Sequence, residues 1–230
     1  KYFEYWREEM LEWMDVVGID KDLVHELEVL PEDRAHYSKR TIDFEFDFPF
    51  GRKELYGLAY RSDFDLKSHM ESSGQSLEYF DDATGEKFVP HAIEPTFGLD
   101  RTILAILVSA DREDVVGEAT EIRSYLKLEP KVAPVVCAVS PLLKNKPELV
   151  EKAREVFGML KTEFGRVMWD DNGNIGKRYR RQDEIGTPWC IVIDFDTLEN
   201  DTVTIRERDS GNQERFPISQ LVSYIKDRLS

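Results

Sequence analysis

Glu94-Pro95-Thr96-Phe97-Gly98-Leu99-Asp100-Arg101 stands directly before a strongly apolar run, Ile103-Leu104-Ala105-Ile106-Leu107-Val108. The pattern predicts a strand that ends near Glu94, a turn at Gly98 and a buried helix after the turn. Glycine lets backbone approach a ligand closely, and Arg101 in the first helical turn can face a phosphate or stack on a planar base. Because the positive end of a helix disfavours an arginine, a nearby anion would help to explain Arg101. The alternative interpretation is a helix capped by Asp100, with Gly98 in an ordinary turn and Arg101 on the surface.

The residues before this stretch predict one helix and several antiparallel strands. Apolar residues recur at helical spacing from Tyr2 to Val17, and Gly18 marks the end of that pattern. Alternating apolar and polar residues at 42–48 and 54–60 predict an antiparallel hairpin. Turn residues between short apolar runs at 79–90 predict a second hairpin, which leads to a strand at 91–94.

The residues after the apolar run alternate between strand and helix patterns. The polar stretch from Ser109 to Arg123 is expected to be a solvated continuation of the helix or a loop, and residues 128–130 are expected to form a linker. Strand patterns occur at 133–139, 167–169, 189–195 and 202–206, and helix patterns at 147–164 and 218–229. Strands interleaved with helices predict an α/β fold. We therefore expect two domains, residues 1–128 and residues 129–230.

The acidic residues are unevenly distributed along the chain. The formal net charge of the 230 residues is −15, which argues against a nucleic-acid partner because phosphates would be repelled. Residues 1–128, however, hold 15 basic and 29 acidic residues, whereas residues 129–230 hold 16 and 17. The second part is close to neutral, which weakens the objection. The chain is expected to comprise two units of different electrostatic character.

The composition predicts a globular protein without a structural metal or a membrane span. Cys137 and Cys190 each lie inside an apolar stretch and are expected to be buried free thiols. The four histidines are too scattered for a zinc site. No apolar run approaches the ~20 residues that a membrane helix needs, and the acidic, aromatic N-terminus is unlike a signal peptide. We therefore expect a cytoplasmic location.

Residues 94–101 resemble motif 3 of class II aminoacyl-tRNA synthetases, and their Glu-Pro-small opening resembles that of the dimeric glycyl-tRNA synthetases in particular. The resemblance implies that Arg101 contacts ATP and acts in catalysis together with Glu94, which would bind the ammonium of glycine. It implies a glycine site formed by Glu94, Pro95, Thr96, Phe97 and Gly98, and an ATP site that includes Gly98, Leu99, Asp100 and Arg101. Thr96 replaces the family's frequent serine and keeps its hydroxyl. Thr102 stands where the class II pattern prefers an aliphatic residue.

A second stretch, which begins at Glu54, resembles the family segment in which a glutamate helps to hold ATP. The resemblance implies that Glu54 and Leu55 belong to the ATP site. It also implies that Glu54 acts through Mg²⁺, because a bare carboxylate would repel a triphosphate. The alternatives are a solvent-facing Glu54 and an Arg61 paired with Asp63 or Asp65.

The stretch from Gly173 to Pro188 places four basic side chains and one aromatic side chain within five positions, Lys177, Arg178, Tyr179, Arg180 and Arg181. Basic groups bind phosphates and a tyrosine can stack on an unpaired base, so the combination suits single-stranded loops. The alternative is a solvated helix face partnered by its own acids. From about Val132 onwards, the chain resembles the anticodon-binding domain shared by the glycyl, histidyl, threonyl and prolyl enzymes. The resemblance implies tRNA contacts at those five residues, with Arg206 and Arg208 as further candidates.

The resemblance as a whole implies an antiparallel-sheet class II catalytic portion followed by a mixed-sheet α/β anticodon-binding domain. It implies the activity of a glycine–tRNA ligase that uses ATP and Mg²⁺, with glycine and tRNA(Gly) as substrates and a homodimer for the full-length enzyme. Residues 60–63 fit the opening of class II motif 2, but its downstream basic and aromatic positions are absent, so we interpret that match as a coincidence. Because motifs 1 and 2 are not found, we expect these residues to be the C-terminal part of a longer enzyme and not to charge tRNA alone.

Two other classes of protein are compatible with parts of this sequence. One is a non-catalytic, synthetase-like nucleic-acid-binding protein, such as a DNA polymerase accessory subunit. The presence of Glu54, Glu94 and Arg101 argues against it. The other is an unrelated α/β nucleotide-binding protein, for which Glu94 and Arg101 are not expected to line one pocket.

Overall fold

The computed structural model describes residues 1–115 and 122–229. The chain forms two compact units, Lys1–Ser109 and Ala110–Ser230. None of the helices in the described ranges is long and apolar enough to cross a membrane.

The first unit combines helices with antiparallel strands. In chain order they are α1 (Tyr2–Val16), β1 (Val24–Glu28), β2 (Arg40–Phe48), β3 (Gly51–Ser62), α2 (Phe64–Ser73), β4 (Tyr79–Asp81), β5 (Glu86–Phe88), β6 (Ala92–Phe97) and α3 (Leu99–Ala110). Strands β1, β2, β3 and β6 form an antiparallel sheet in that order, and β4 pairs with β5 in a separate hairpin. A 3₁₀ turn, Lys21–Leu23, precedes β1.

The sheet of the first unit has one apolar face and one polar face. Along β2, Phe44 and Phe46 are fully buried, while Asp43 between its apolar neighbours is half-buried. Side chains alternate along a strand, so the two sets lie on opposite faces. Helix α1 packs on the apolar face, where the indole of Trp13 donates a hydrogen bond to the Tyr56 hydroxyl of β3 at 3.3 Å. The opposite, polar face carries the candidate site.

The second unit begins with a hairpin and continues as strands interleaved with helices. In chain order its elements are β7 (Asp111–Asp114), β8 (Arg123–Leu126), β9 (Cys137–Pro141), α4 (Pro147–Phe164), β10 (Val167–Trp169), α5 (Ile175–Glu184), β11 (Trp189–Ile193), α6 (Phe195–Asn200), β12 (Thr202–Glu207), β13 (Gln213–Pro217), a 3₁₀ turn (Ile218–Gln220) and α7 (Leu221–Leu229). The main sheet has the order β10-β9-β11-β12-β13; β10, β9 and β11 are parallel, and β12 and β13 are antiparallel to their neighbours. The predicted mixed-sheet α/β domain is thereby confirmed.

The core of the second unit lies between this sheet and its helices. Strands β9 and β11 are buried along their whole length, as expected for parallel strands in the middle of a sheet. Leu149, Ala153, Val156 and Leu160 of α4 recur at helical spacing and are buried on one side of that helix. Helix α4 therefore packs its apolar face on the sheet while its charged residues face solvent.

The predicted helix at the N-terminus and both predicted hairpins are confirmed, as α1, β2 with β3, and β4 with β5. The expectation for residues 109–123 is wrong where the structure describes them. Helix α3 ends at Ala110 and the chain turns at once into β7, which pairs with β8. Residues 116–121 of that stretch lie outside the described residues.

The division between the two units falls after Ser109, whereas the sequence predicted a boundary after residue 128. Hydrogen bonds within the second unit explain the difference. Arg123 of β8 donates to Asp183 of α5 at 2.8 Å, and Arg208 donates to the carbonyl of Leu128 at 2.9 Å. Residues 110–128 are thus fastened to the strands and helices that follow them.

Helix α3 is less buried than its apolar sequence predicted. Its buried residues are Thr102, Ala105, Ser109 and Ala110, all small, while Leu99, Ile103 and Leu107 are exposed on another side of the helix. The helix therefore presents an apolar surface to solvent.

Both cysteines are free and buried, as expected from their apolar surroundings. Burial raises the pKa of the Cys137 thiol to about 12 and raises the pKa of Cys190 as well. A thiol that stays protonated and inaccessible is a poor nucleophile.

We therefore expect neither thiol of the native protein to react with Ellman's reagent at pH 8, and both to react after unfolding in guanidinium chloride. Absorbance at 412 nm measures the reaction, and a Ser72→Cys variant, whose new thiol would be exposed on α2, supplies a reactive reference. Rapid reaction of either native cysteine would contradict the burial described above.

Candidate nucleotide and amino-acid site

The polar face of the first sheet has a floor of small residues. Gly57 of β3 lies between Asp43 of β2 and Thr96 of β6, and Ala59 lies between Thr41 and Glu94 in the next such row. Residues paired across antiparallel strands point to the same face. The small residues of β3 therefore leave room for a ligand between the polar side chains of its two neighbours.

A cavity of about 360 Å³ opens where β3 and β6 meet the start of α3. It is lined by Glu54, Leu55, Tyr56, Thr96, Gly98, Leu99, Asp100 and Arg101. These include every residue that the sequence assigned to the ATP site. Arg101 is exposed, and its guanidinium donates to the carbonyl of Glu54, which ties the first turn of α3 to the start of β3.

The turn that begins α3 is held by a chain of hydrogen bonds. The carbonyl of Gly98 accepts from the amide of Thr102 at 2.9 Å and from its hydroxyl at 2.8 Å. The Thr102 hydroxyl also lies 2.9 Å from that of Tyr56, which accepts from Trp13. Thr102 stands where the class II pattern prefers an aliphatic residue, and the hydrogen bonds of its buried hydroxyl explain why a polar residue is suitable here.

Gly98 is not required by the fold itself. A methyl group at this position would lie 3.8 Å from the Arg101 Cβ and 3.8 Å from the Leu55 carbonyl oxygen, which are ordinary contacts. Its φ angle is also outside the left-handed region. A need for glycine at position 98 would therefore come from a ligand that approaches the backbone.

Glu94 lies on the polar face, beyond the cavity lining. Its carboxylate accepts from Arg61 at 2.6 Å, and Arg61 also donates to Asp65 at 2.7 and 2.9 Å. The pairing of β3 with β6 shifts register between Tyr60 and Ser62, and Ser62 has a positive φ of 54°. The suggested pairing of Arg61 with Asp65 is thus observed, and Glu94 is its second partner.

Strand alternation divides the predicted glycine site between two faces. Glu94 and Thr96 share the polar face, whereas Phe97 packs against Tyr56 and Trp13 on the α1 side, with ring centres 4.6 and 6.3 Å apart. The cavity that Arg101 lines does not include Glu94, an arrangement expected of an unrelated nucleotide-binding protein. The sequence comparisons given below count against that alternative.

Two carboxylates converge on the floor of the site. A methyl group at Gly57 would lie 3.5 Å from Glu54 Oε1 and 4.0 Å from Asp43 Oδ1. Burial, together with the nearby charges of Glu54 and Glu45, raises the pKa of Asp43. Sequence reasoning missed Asp43 and Glu45, although the strict alternation of residues 42–48 carried the signal that their side chains share one face.

The two carboxylates, Glu54 and Asp43, suit a metal ion that is bound mainly through the phosphates of a ligand. No group of three or more histidine, cysteine, aspartate or glutamate side chains is placed to hold a metal in the ranges 1–115 and 122–229. Mg²⁺ commonly binds through one or two carboxylates and completes its shell with substrate phosphates and water. Glu54, with Asp43 beside it, fits that mode of binding.

The predicted tRNA-binding stretch forms helix α5. Asn174 caps it by accepting a hydrogen bond from the amide of Lys177 at 2.9 Å. Lys177 and Arg180 are exposed on this helix. Arg181 is partly exposed, and its guanidinium binds the Asp170 carboxylate at 2.7 Å. Of the described basic residues that the sequence predicted to contact tRNA, these three are at least partly exposed.

Three other arginines that the sequence predicted to contact tRNA are buried. Arg178 donates to the carbonyls of Pro141 at 2.5 Å and Gly173 at 2.8 Å. Arg206 donates to both carboxylate oxygens of Asp183, at 2.7 and 2.9 Å. Arg208 donates to the carbonyls of Leu128 and Gly186, at 2.9 and 2.8 Å. All three guanidiniums are engaged within the protein and are closed to solvent.

Tyr179 occupies an intermediate position. Its ring is half-buried, the guanidinium of Arg206 lies 4.8 Å from the ring centre, and its hydroxyl lies 3.4 Å from Gln213. Burial raises the pKa of Tyr179 to about 12. A ring packed in this way supports the attachment of α5 to the sheet.

The second unit is similar to a known family of domains. Residues 136–228 match the family described as "Anticodon binding domain". This match covers β9 to α7, the mixed sheet and its helices.

The whole chain is similar to a group of enzymes, the glycine–tRNA ligases. It is 48% identical over 230 residues to the glycine–tRNA ligase of Clostridium tetani, covering 100% of this chain and 48% of that protein. It is 46% identical over 236 residues to the glycine–tRNA ligase of Thermobifida fusca, covering 100% of this chain and 51% of that protein. The enzyme of Chlorobaculum tepidum is 46% identical over 228 residues, covering 99% of this chain and 47% of that protein.

The chain spans about half the length of the curated relatives it matches, and the match falls in their C-terminal halves. It is thus a homologue of the C-terminal half of glycine–tRNA ligases, and the predicted resemblance to glycyl-tRNA synthetases is confirmed.

The hydrogen-bond chain at the start of α3 gives a test of the local structure. Thr102→Val and Tyr56→Phe each remove one hydroxyl of a buried pair, so each is expected to lower the free energy of unfolding by roughly 1–2 kcal/mol. Because the two hydroxyls bond to each other, the double variant should lose about 1 kcal/mol less than the sum. Urea unfolding measures the free energy of unfolding of the two single variants and the double variant. Strictly additive decreases would show that the two hydroxyls do not interact.

Proposed function

We propose that this chain is the C-terminal part of a glycine–tRNA ligase. In this proposal the first unit is a portion of a class II catalytic domain and the second unit binds the anticodon of tRNA(Gly). The observation that carries the proposal is the cavity, because all the residues assigned to ATP from the sequence line it together. The homology over the whole chain supports it.

ATP is proposed to bind in this cavity, beside the first turn of α3. Arg101 would neutralise phosphate charge or stack on the adenine, and Gly98 would let the nucleotide approach the backbone. Mg²⁺, held by Glu54 with Asp43 beside it, would neutralise the phosphates further when bound. The hydrogen-bonded turn at Thr102 keeps these groups in place before the ligand arrives.

Glycine is proposed to bind on the polar face next to the cavity. The Glu94 carboxylate would bind its ammonium group, and Arg61 holds that carboxylate in a fixed orientation. Gly57 and Ala59 are small and leave space for glycine. Alanine would be rejected because its methyl group would clash with the protein, rather than because a hydrogen bond would be lost. Substrates aligned here could react by attack of the glycine carboxylate on the α-phosphorus of ATP, with pyrophosphate as the leaving group.

The glycyl group would then pass to the terminal ribose of tRNA(Gly). Lys177, Arg180 and Arg181 on α5 are the residues proposed to contact the tRNA, since the other basic residues assigned from sequence are closed to solvent. A cytoplasmic location and a homodimer of the full-length enzyme complete the proposal. The alternative is a non-catalytic binding protein. It differs from the proposed ligase in one measurable property, because it would not use Arg101 to bind ATP.

Two variants test the nucleotide site. Arg101→Ala and Gly98→Ala are each expected to weaken binding of ATP with Mg²⁺ by about 10-fold or more, because charge-assisted bonds are lost in one and the backbone is obstructed in the other. Isothermal titration calorimetry on the 230-residue chain measures this. Gly158→Ala on α4, where a methyl group meets nothing within 4 Å, is the matched control and should bind ATP as the parent does.

Thermal unfolding should be nearly unchanged in Gly98→Ala, since its methyl group makes only ordinary contacts. ATP affinity that Arg101→Ala leaves unchanged would favour the non-catalytic alternative.

A further variant tests the tRNA surface. Lys177→Ala is expected to weaken binding of tRNA(Gly) and to reduce the dependence of log K on log salt concentration by about one unit, as for one lost phosphate contact. Lys131→Ala, which removes an exposed lysine outside the helices and strands, is the control. Filter binding at several salt concentrations measures both. A Lys177→Ala variant that binds with the parent's affinity and salt dependence would remove Lys177 from the proposed contacts.

A further inference from the structure

Arg61 is held by Asp65 and Tyr37 as well as by Glu94. Its Nε and Nη2 atoms donate to the Asp65 carboxylate at 2.7 and 2.9 Å, and its Nη1 atom donates to Oε2 of Glu94 at 2.6 Å. The guanidinium carbon lies 4.0 Å from the centre of the Tyr37 ring. The guanidinium is therefore fixed both along its edges and across its flat face.

Asp65 is favoured in its charged form by the helix that carries it. It lies in the first turn of α2, where the positive end of a helix stabilises a carboxylate. The Arg61 guanidinium lowers the pKa of Asp65, so this carboxyl is ionised at neutral pH. Arginine binds a carboxylate best through two parallel N–H bonds, and Asp65 accepts such a pair. That edge of the guanidinium is thereby kept away from Glu94.

Tyr37 is fixed by the segment that leads into β2. The amide of Lys39 donates to the carbonyl of Tyr60 at 2.8 Å, which ties this segment to β3. The ring of His36 meets the ring of Tyr37 edge-on, with ring centres 5.3 Å apart. Tyr37 is itself half-buried. A ring held in this way attracts the guanidinium through its π face and limits the positions that Arg61 can take.

These contacts leave one oxygen of Glu94 open. Among the described residues, Arg61 is the hydrogen-bond donor to this carboxylate and it reaches Oε2, while the Glu94 side chain is 46% exposed. Oε1 can therefore accept a hydrogen bond from an ammonium group beside Ala59, the partner of Glu94 on β3. An Arg61 that turned its two-bond edge to Glu94 would occupy both oxygens and neutralise the charge that an ammonium needs.

We propose that Asp65 and Tyr37 set the affinity for the ammonium of glycine by keeping Arg61 on one oxygen of Glu94. Both are positioning residues, because each acts through Arg61 and neither is placed on the substrate. The inference rests on the proposed function, in which Glu94 binds that ammonium. It extends the glycine site to two residues that lie outside the motif at 94–101.

Two analogues of glycyl-adenylate test the proposal on the 230-residue chain by isothermal titration calorimetry. One is a non-hydrolysable glycyl-adenylate, and the other carries a hydroxyl group in place of the ammonium. The ratio of their dissociation constants reports on the ammonium contact, because the adenylate part is the same in both. The parent chain is expected to prefer the glycyl analogue by about 10-fold or more, as for a hydrogen bond to a charged group.

Asp65→Asn is expected to reduce this preference by about 5-fold or more, because Arg61 is then able to bind both oxygens of Glu94. Tyr37→Leu should also reduce it, without any change of charge, whereas Tyr37→Phe keeps the ring and should behave as the parent. Glu71→Gln removes an exposed carboxylate from the same helix and is the matched control for the lost charge. The affinity for ATP with Mg²⁺ should be unchanged in all four variants.

Urea unfolding of Asp65→Asn, Glu94→Gln and the double variant tests the network without a ligand. The decreases in the free energy of unfolding should not be additive, because both carboxylates bind the same guanidinium. Melting curves show whether each variant is folded. If Tyr37→Leu is unfolded, the comparison of Asp65→Asn with Glu71→Gln decides the outcome.

A parent chain with equal affinity for the two analogues would contradict the proposed function and this inference together. A parent that prefers the glycyl analogue, with Asp65→Asn and Tyr37→Leu variants that keep the full preference, would overturn the inference alone. Equal weakening of ATP and of both analogues in these variants would also overturn it, because it would show a general structural role. Strictly additive effects of Asp65→Asn and Glu94→Gln on unfolding would do the same.

Discussion

The burial of one face of the first sheet is the constraint on which the proposed site depends. Phe44, Phe46, Tyr56 and Leu58 are fully buried on that face, and complete burial of each such side chain contributes about 1.5–3 kcal/mol. A slip of one residue in the pairing of β2 with β3 would expose all four and bury carboxylates in their place. The apolar face therefore fixes the register, and the register determines which side chains reach the polar face.

The same constraint explains how distant parts of the sequence come together. Glu54, Gly57 and Arg61 lie on one strand, and Glu94 and Thr96 lie on its neighbour, so their meeting is a consequence of pairing rather than of local sequence. The start of α3 then closes one end of the face through the bonds of Thr102 with Gly98 and Tyr56. A cavity whose walls are hydrogen-bonded in this way suits chemistry that needs alignment of substrates more than covalent participation by the protein.

Several arginines of the second unit that the sequence predicted to contact tRNA instead bind groups within the protein. Asp183 is buried and accepts from Arg123 and Arg206, and removing one partner of a buried ion pair costs roughly 3–5 kcal/mol. The buried arginines bind partners that are distant in sequence. Arg206 is 23 residues from Asp183, and Arg208 is 80 residues from Leu128. A local run of basic residues cannot reveal such contacts. For the same reason the hairpin of β7 and β8 escaped sequence reasoning, since Arg123 fastens it to a helix 60 residues later.

The parts that the sequence predicted well are those with a strong local signal. Period-two alternation identified β2 and β3, and turn residues identified the hairpin of β4 and β5. The stretch from Glu94 to Arg101 identified the family through its motif. The pairing of Arg61 with Glu94 could not be predicted from a local pattern, because the two residues are 33 positions apart and lie on neighbouring strands.

A crystal structure of the chain soaked with a non-hydrolysable glycyl-adenylate analogue and Mg²⁺ would test the central claim most directly. The adenylate is expected between the Glu54 carbonyl and Arg101, with its glycyl ammonium at Glu94 on the polar face. Density for the analogue in another hollow, such as the one lined by Tyr37, Ser62 and Lys67, with the cavity at Gly98 empty, would contradict the proposed site.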